Sequence, residues 1–120
     1  MYNYRDLIVW QKSMSLVEMV YTVTTSFPKE EKFGLVSQMR RSAVSIPSNI
    51  AEGSGRNSKN LLRHFLEISN GSINELKTQL EISERLGFIT SKELEPISLL
   101  CTEIQKITYA LIKKYSKTED

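Results

Sequence analysis

Leu94, Ile97, Cys101, Ile104, Thr108, Leu111 and Tyr115 recur at steps of three and four, so one side of about six helical turns is apolar. Leu100, Ile107 and Ile112 widen that seam to the breadth a bundle core requires. The same spacing returns in Leu7, Trp10, Met14, Val17, Tyr21 and Thr24, and again in Val36, Met39, Ala43, Ile46 and Ile50. No segment alternates with period two between turn signals, so no strand is predicted. The 120 residues suffice for one core. Short connections between long helices make successive helices antiparallel. The sequence therefore predicts an all-α, up-down-up-down antiparallel four-helix bundle. One domain spans 1–120, with helices at about 6–26, 29–52, 58–86 and 91–114.

Punctuation supports these bounds. The first helix should stop before Phe27-Pro28, because a residue preceding proline is pushed out of the α region. Pro28, Glu30 and Glu31 suit the first turn of the second helix, where the dipole favours acids. Pro47 lies inside that helix and should kink it rather than break it. Gly53-Ser54-Gly55 should end it through left-handed geometry. Ser58 or Asn57 caps the third helix, whose inner face reads Leu62, Phe65, Ser69, Ser72 or Ile73, Leu76, Leu80 and Ser83. Gly87 stops it. Thr90-Ser91-Lys92-Glu93 is a capping box for the fourth helix, although Pro96 also offers a start. Residues beyond Tyr115 should fray.

The block from Gly34 to Gly53 carries more than a core stripe. Arg40 lies at the margin of the apolar face, while Arg41 lies nearly opposite it. In a hairpin turning near Gly55, Arg40 comes level with Gly71, and Glu75 leans back toward that level. An Arg40–Glu75 structural ion pair is the expectation. A second stripe, Gln38, Ser42, Ser45, Asn49 and Glu52, offers small polar residues that let another backbone approach. It reads as a subunit contact or a pore lining, with solvated flank as the alternative.

The formal net charge is only +2, but it is unevenly spread. Val36 to Phe65 holds five basic residues and one acid, Leu66 to Glu103 seven acids and three bases, and Ile104 to Lys117 four lysines and no acid. Arg41, Arg56, Lys59, Arg63, Lys113 and Lys114 are the candidate phosphate contacts. Ordinary solvated faces are the alternative reading.

Catalytic signatures are sparse. His64 is the only histidine, so a two-histidine mechanism within one chain is excluded. Ligands are too few for a Cys/His zinc site, and a di-iron Glu-x-x-His motif fails because Leu61 holds the glutamate position. Gly53-Ser54-Gly55 lacks the strand and the lysine of a phosphate loop. No catalytic residue, metal or cofactor is expected. The lone Cys101 excludes an intrachain disulfide, and no apolar run approaches a membrane span. The N-terminus carries no secretory pattern, so a cytoplasmic protein is expected.

Leu7-Ile8-Val9-Trp10-Gln11-Lys12, Phe27 to Leu35, Gln38 to Gly53 with Arg56, Ser72-Ile73-Asn74-Glu75-Leu76 and Leu86-Gly87-Phe88-Ile89 together carry a resemblance. The chain resembles the S23-like four-helix bundle family encoded by intervening sequences of bacterial 23S ribosomal RNA genes. More distantly, it is similar to the accessory variability determinant proteins of diversity-generating retroelements. The resemblance implies a bundle that assembles as a homopentameric ring or barrel, with no established enzymatic activity. In the retroelement relatives it implies nucleic-acid and reverse-transcriptase binding through a strongly basic surface. The leading expectation is a non-enzymatic homo-oligomer, a pentamer by that resemblance, that binds RNA or DNA weakly through phosphate contacts. Ser42, Ser45, Asn49 and Glu52 are its candidate oligomer contacts. A protein-binding scaffold is the alternative, and a ribonuclease acting through His64 and Arg63 is the remote one.

Overall fold

A computed structural model describes residues 2–116. Of the residues expected to fray, Ser116 is instead the last residue of a regular helix, and 117–120 lie outside the described residues. Four helices run α1 Ile8–Thr24, α2 Leu35–Ser54, α3 Lys59–Arg85 and α4 Ser91–Ser116, with 3-10 turns at Tyr4–Asp6 and Lys29–Glu31. Each helix packs on its sequence neighbour, and α4 closes the square against α1. The bundle measures 48 × 22 × 20 Å.

The chain ends its helices with the devices its sequence advertises. Ser58 accepts from the Leu61 amide at 3.2 Å as the α3 cap. Glu93 N–H donates to Thr90 Oγ at 3.1 Å, while Thr90 N–H donates to Glu93 Oε1 at 2.9 Å. That reciprocal pair is a capping box and starts α4 at Ser91, five residues ahead of Pro96. At the end of α3, Gly87 has φ 79°, with Phe88 N–H on Ser83 O and Gly87 N–H on Glu84 O. This is a Schellman stop, and the left-handed residue is the glycine that tolerates it.

Three boundary readings change. First, α2 begins at Leu35 rather than near 29. Lys29–Glu31 forms only a 3-10 turn, and Glu31 reaches forward from outside to accept the Leu35 amide at 3.2 Å. Second, α2 runs to Ser54 rather than 52, with Pro47 inside it and no break, as the sequence predicts. Third, Gly53 is helical and Gly55 has φ −82°, so neither supplies a left-handed stop. Gly53 serves close approach instead: a Cβ there would sit 2.9 Å from Phe65 Cβ.

The core joins Leu16, Val20, Met39, Ala43, Ile46, Ile50, Leu66, Ile73, Leu76, Leu80 and Ile104. The stripes read from sequence for α2 and most of α4 are the buried ones. In α1 the expected Thr24 is buried, but the rest of the inward stripe is Val9, Ser13, Leu16 and Val20. Trp10 and Val17 are only half-buried, and Met14 and Tyr21 are exposed. Ser13 and Thr24 enter the core because each hydroxyl donates to the carbonyl four residues back, at 2.6 and 2.7 Å. In α3, Leu66 and Ile73 take the inner positions, leaving Phe65 and Ser72 half-buried.

Candidate functional site

The helix ends gather five of the six candidate cations at one end of the bundle. Arg56 follows α2, Lys59 and Arg63 occupy the first turns of α3, and Lys113 and Lys114 lie in the last turn of α4. A hydrogen bond from Arg63 Nη1 to Tyr115 O, at 3.4 Å, joins the start of α3 to the end of α4. Lys113 and Lys114 also complement the negative end of the α4 dipole. Arg56 pairs with Glu52 at 2.6 Å and lies over the Phe65 ring, 5.4 Å from its centroid. Arg63 is further fixed by Asn60 Oδ1 at 2.8 Å. Arg41 is not part of this cluster: fifteen residues of α2 put it about 22 Å from Arg56. Because Arg41 is exposed, its charge stands on the long side of the bundle.

The expected Arg40–Glu75 pair does not form. Arg40 Nε donates to Thr24 Oγ at 3.0 Å, Nη2 donates to Tyr21 O at 3.3 Å, and the guanidinium lies 4.4 Å from the Tyr21 ring centroid. Glu75 instead accepts from Ser42 Oγ at 2.7 Å. The level read from sequence is off by about six residues, since the Ser42–Glu75 and Ser45–Ser72 bonds put Arg40 opposite Lys77 rather than Gly71. The side is also wrong. At about 100° per residue, Arg40 and Ser42 flank the apolar stripe of α2 on opposite sides, one toward α1 and one toward α3.

The polar stripe of α2 lines the α2–α3 seam and is bonded within the chain. Ser45 Oγ and Ser72 Oγ are 2.9 Å apart, and Asn49 Nδ2 donates to Ser45 O at 2.8 Å. Ser69 Oγ, fully buried, donates to Ile46 O at 3.0 Å. Glu52 is held by Arg56. These small side chains bring α2 and α3 together along their length.

What sequence reasoning missed is a second apolar surface. Trp10, Met14 and Val17 of α1 and Val44, Pro47 and Ala51 of α2 line an outward groove. Through Val44 it continues into a depression bounded by Tyr21, Phe33, Arg40 and Arg41. Phe33 is 88% exposed at its upper end. The signal was present: α1 carries apolar residues around most of its circumference, more than one core-facing stripe uses. A second exposed series, Leu61, Ile68, Ile82 and Leu86, runs along the outer side of α3.

His64 is exposed beside Arg63 and stacks edge-on against Phe65, with centroids 5.4 Å apart. Cys101 is fully buried between helices, and burial pushes its thiol up to about 12. Among the described residues no group of three or more His, Cys, Asp or Glu side chains converges to hold a metal. No helix among them is long and apolar enough to cross a membrane.

The family model of the 23S rRNA-intervening sequence protein matches residues 5–110. The chain belongs to this family. The S23 fold is seen directly in a crystal structure of a protein of unknown function from the S23 ribosomal protein family of Bacteroides thetaiotaomicron. It is 30% identical, with a TM-score of 0.80 over 88% of this chain and 99% of that one. No curated protein matches. The four-helix architecture of this S23-family chain is therefore shared with a relative along nearly its whole length.

Proposed function

We propose that this S23-family bundle is a non-enzymatic homo-oligomer that binds RNA or DNA weakly through phosphate contacts at its basic end. The observation that supports the reading is that the antiparallel topology brings the three helix ends carrying Arg56, Lys59, Arg63, Lys113 and Lys114 to one end of the bundle. Point charges on flexible stems meet phosphates without reading bases, so affinity should depend on salt and little on sequence. One protomer supplies few contacts. Copies arranged side by side would present several such ends at once, and avidity would raise a weak contact to a measurable one. The homopentamer implied by the family resemblance is the stoichiometry we adopt.

The test is binding of a fluorescent oligonucleotide across salt. The logarithm of affinity should fall linearly with the logarithm of salt, losing a slope of about 0.9 for each phosphate contact removed from duplex DNA. Lys59→Gln, Lys113→Gln and Lys114→Gln together should flatten that slope and leave the native mass unchanged. Absence of binding by the wild type at about 50 mM salt would sink the reading.

A second reading, a scaffold for another protein, is favoured by the exposed groove between α1 and α2. It predicts that substitutions in the groove abolish partner capture while the basic-end variants leave it intact.

A further inference from the structure

We infer that the trough between α1 and α4 binds a linear aliphatic diamine or polyamine, whose methylenes lie on its apolar floor and whose ammonium groups meet Glu18 and Glu93. The trough is formed by the end of α1 and the start of α4. It therefore lies at the opposite end of the bundle from Lys113 and Lys114, and is separate from the surface assigned above to phosphates.

The cavity holds about 500 Å³, within the range of small-molecule sites. One face of α1, from Ser15 to Ser26, forms one wall, and the first turns of α4 form the other. Met19, Val23, Pro96 and Ile97 supply an apolar floor. The polar atoms around that floor are all of one kind. Ser15 Oγ donates to Gln11 O at 3.4 Å, Thr22 Oγ1 to Glu18 O at 3.0 Å and Ser26 Oγ to Val23 O at 3.3 Å. Each hydroxyl proton is thus held by a nearby carbonyl of α1, and each oxygen keeps lone pairs. Glu93 N–H is spent on Thr90 Oγ. No lysine, arginine or histidine is among the lining residues. Glu18 and Glu93 form no ion pair among the described residues. Thr90 engages Glu93 Oε1 and leaves Oε2 available. Such a lining accepts hydrogen bonds and offers none. Its guest must bring donors and positive charge at its ends, with hydrocarbon between them.

Spacing selects a linear guest. The Lys12–Glu103 ion pair, at 2.9 Å, sets the height of α1 against the antiparallel α4. Glu18 then comes level with Ile97, and Glu93 with Thr22. The two carboxylates stand on opposite walls, offset along the trough by about four residues, or about 6 Å. A flexible chain laid obliquely over Met19 and Ile97 reaches both, whereas a compact cation reaches only one. The surrounding field favours the same guest, since Leu66 to Glu103 holds seven acids against three bases. The negative end of the α1 dipole adjoins the trough at Thr22 and Val23, and offsets the positive end of α4 at Glu93.

The test is isothermal titration of the whole protein at low salt, free of nucleic acid, with octamethylenediamine as the probe. Binding should saturate at one diamine per protomer. Octanediol, its neutral counterpart, and octanedioate, its anionic one, should give no saturable heat. Glu18→Gln and Glu93→Gln should each weaken the diamine about fivefold, the worth of one exposed ion pair. The second change keeps the capping box, which accepts either Glu or Gln at that position. Thr22→Lys, at an exposed position of the wall, lays a tethered ammonium in the trough and should abolish binding. Glu67→Gln removes an exposed carboxylate of α3 outside the trough and should change nothing. Absence of saturable diamine binding by the wild type would overturn the inference. Equal binding of octanediol would overturn the role given to the carboxylates. Equal weakening by Glu67→Gln, or undiminished binding by Thr22→Lys, would show diffuse attraction to acidic surface and overturn the site.

Discussion

Gly53→Ala sets two effects of opposite sign against each other. Replacing a helical glycine by alanine favours the fold by about 0.5–1 kcal/mol, because it restricts the unfolded chain. At this site the new methyl would lie 2.9 Å from Phe65 Cβ and 3.3 Å from Leu62 Cδ1 and Leu62 O. The obstructing atoms are a Cβ and a carbonyl, fixed to the α3 backbone, so no rotamer change relieves them. The two helices must separate, and overpacking of this kind costs about 1–3 kcal/mol. The clash should win, with a net loss of about 1–2 kcal/mol. For 120 residues the unfolding entropy is about 0.25 kcal/mol/K, so Tm should fall by about 4–8 °C. Gly55→Ala is the control. Gly55 has φ −82°, and a Cβ there meets nothing closer than 3.8 Å, so that variant should match the wild type within about 0.5 kcal/mol. Thermal melts by circular dichroism at one fixed protomer concentration make the comparison. A Gly53→Ala protein as stable as Gly55→Ala would refute the close approach of α2 and α3.

Arg40→Ala and Glu75→Ala should add in denaturant melts within about 0.5 kcal/mol, because their partners are Thr24 and Tyr21 on one side and Ser42 on the other. A coupling above about 1 kcal/mol would show that they do meet. Alkali should destabilise the fold. Burial raises Cys101 from 9.0 to about 12, and burial with the Tyr2 hydrogen bond raises Tyr115 from 10.0 to about 12. Both protons are held more tightly in the folded state, so the stability they contribute is present below pH 9 and lost as pH rises from 9 toward 12. Cys101→Ser with Tyr115→Phe should flatten the Tm decline over that interval. An unchanged decline would assign it to other groups. Thr90→Ala removes the Oγ acceptor that caps α4 and should cost about 1 kcal/mol in urea melts, and a neutral result would mean the cap is frayed in solution.

Much of the fold was legible because its signals are local. The capping box at Thr90, the stop at Gly87 and the stripe from Val36 to Ile50 each specify structure within a few residues. The α1 face was misread because two stripes compete there. Trp10, Met14, Val17 and Tyr21 are the bulkier set, and Val9, Ser13, Leu16 and Val20 the more compact one. The core takes the second set, since Ser13 is small and satisfies its own hydroxyl. Large side chains would hold the helices apart. The side of α2 on which Arg40 falls was likewise invisible, because the register of a hairpin does not say which flank faces which neighbour. The basic end was half legible. The residues are scattered over 56–114 in sequence, and only the antiparallel topology shows that a helix start and two helix ends coincide. Arg41 drops out of that cluster for the same reason, since helix rise separates it from residues that sequence proximity had joined to it.

The central claim is that the bundle is a homo-oligomer that presents several copies of its basic end together. Light scattering coupled to size-exclusion chromatography at micromolar concentration measures this most directly. The account predicts a single species with a mass near five times the 13.8 kDa protomer. A species of one protomer mass at that concentration, with the helices intact, would contradict it.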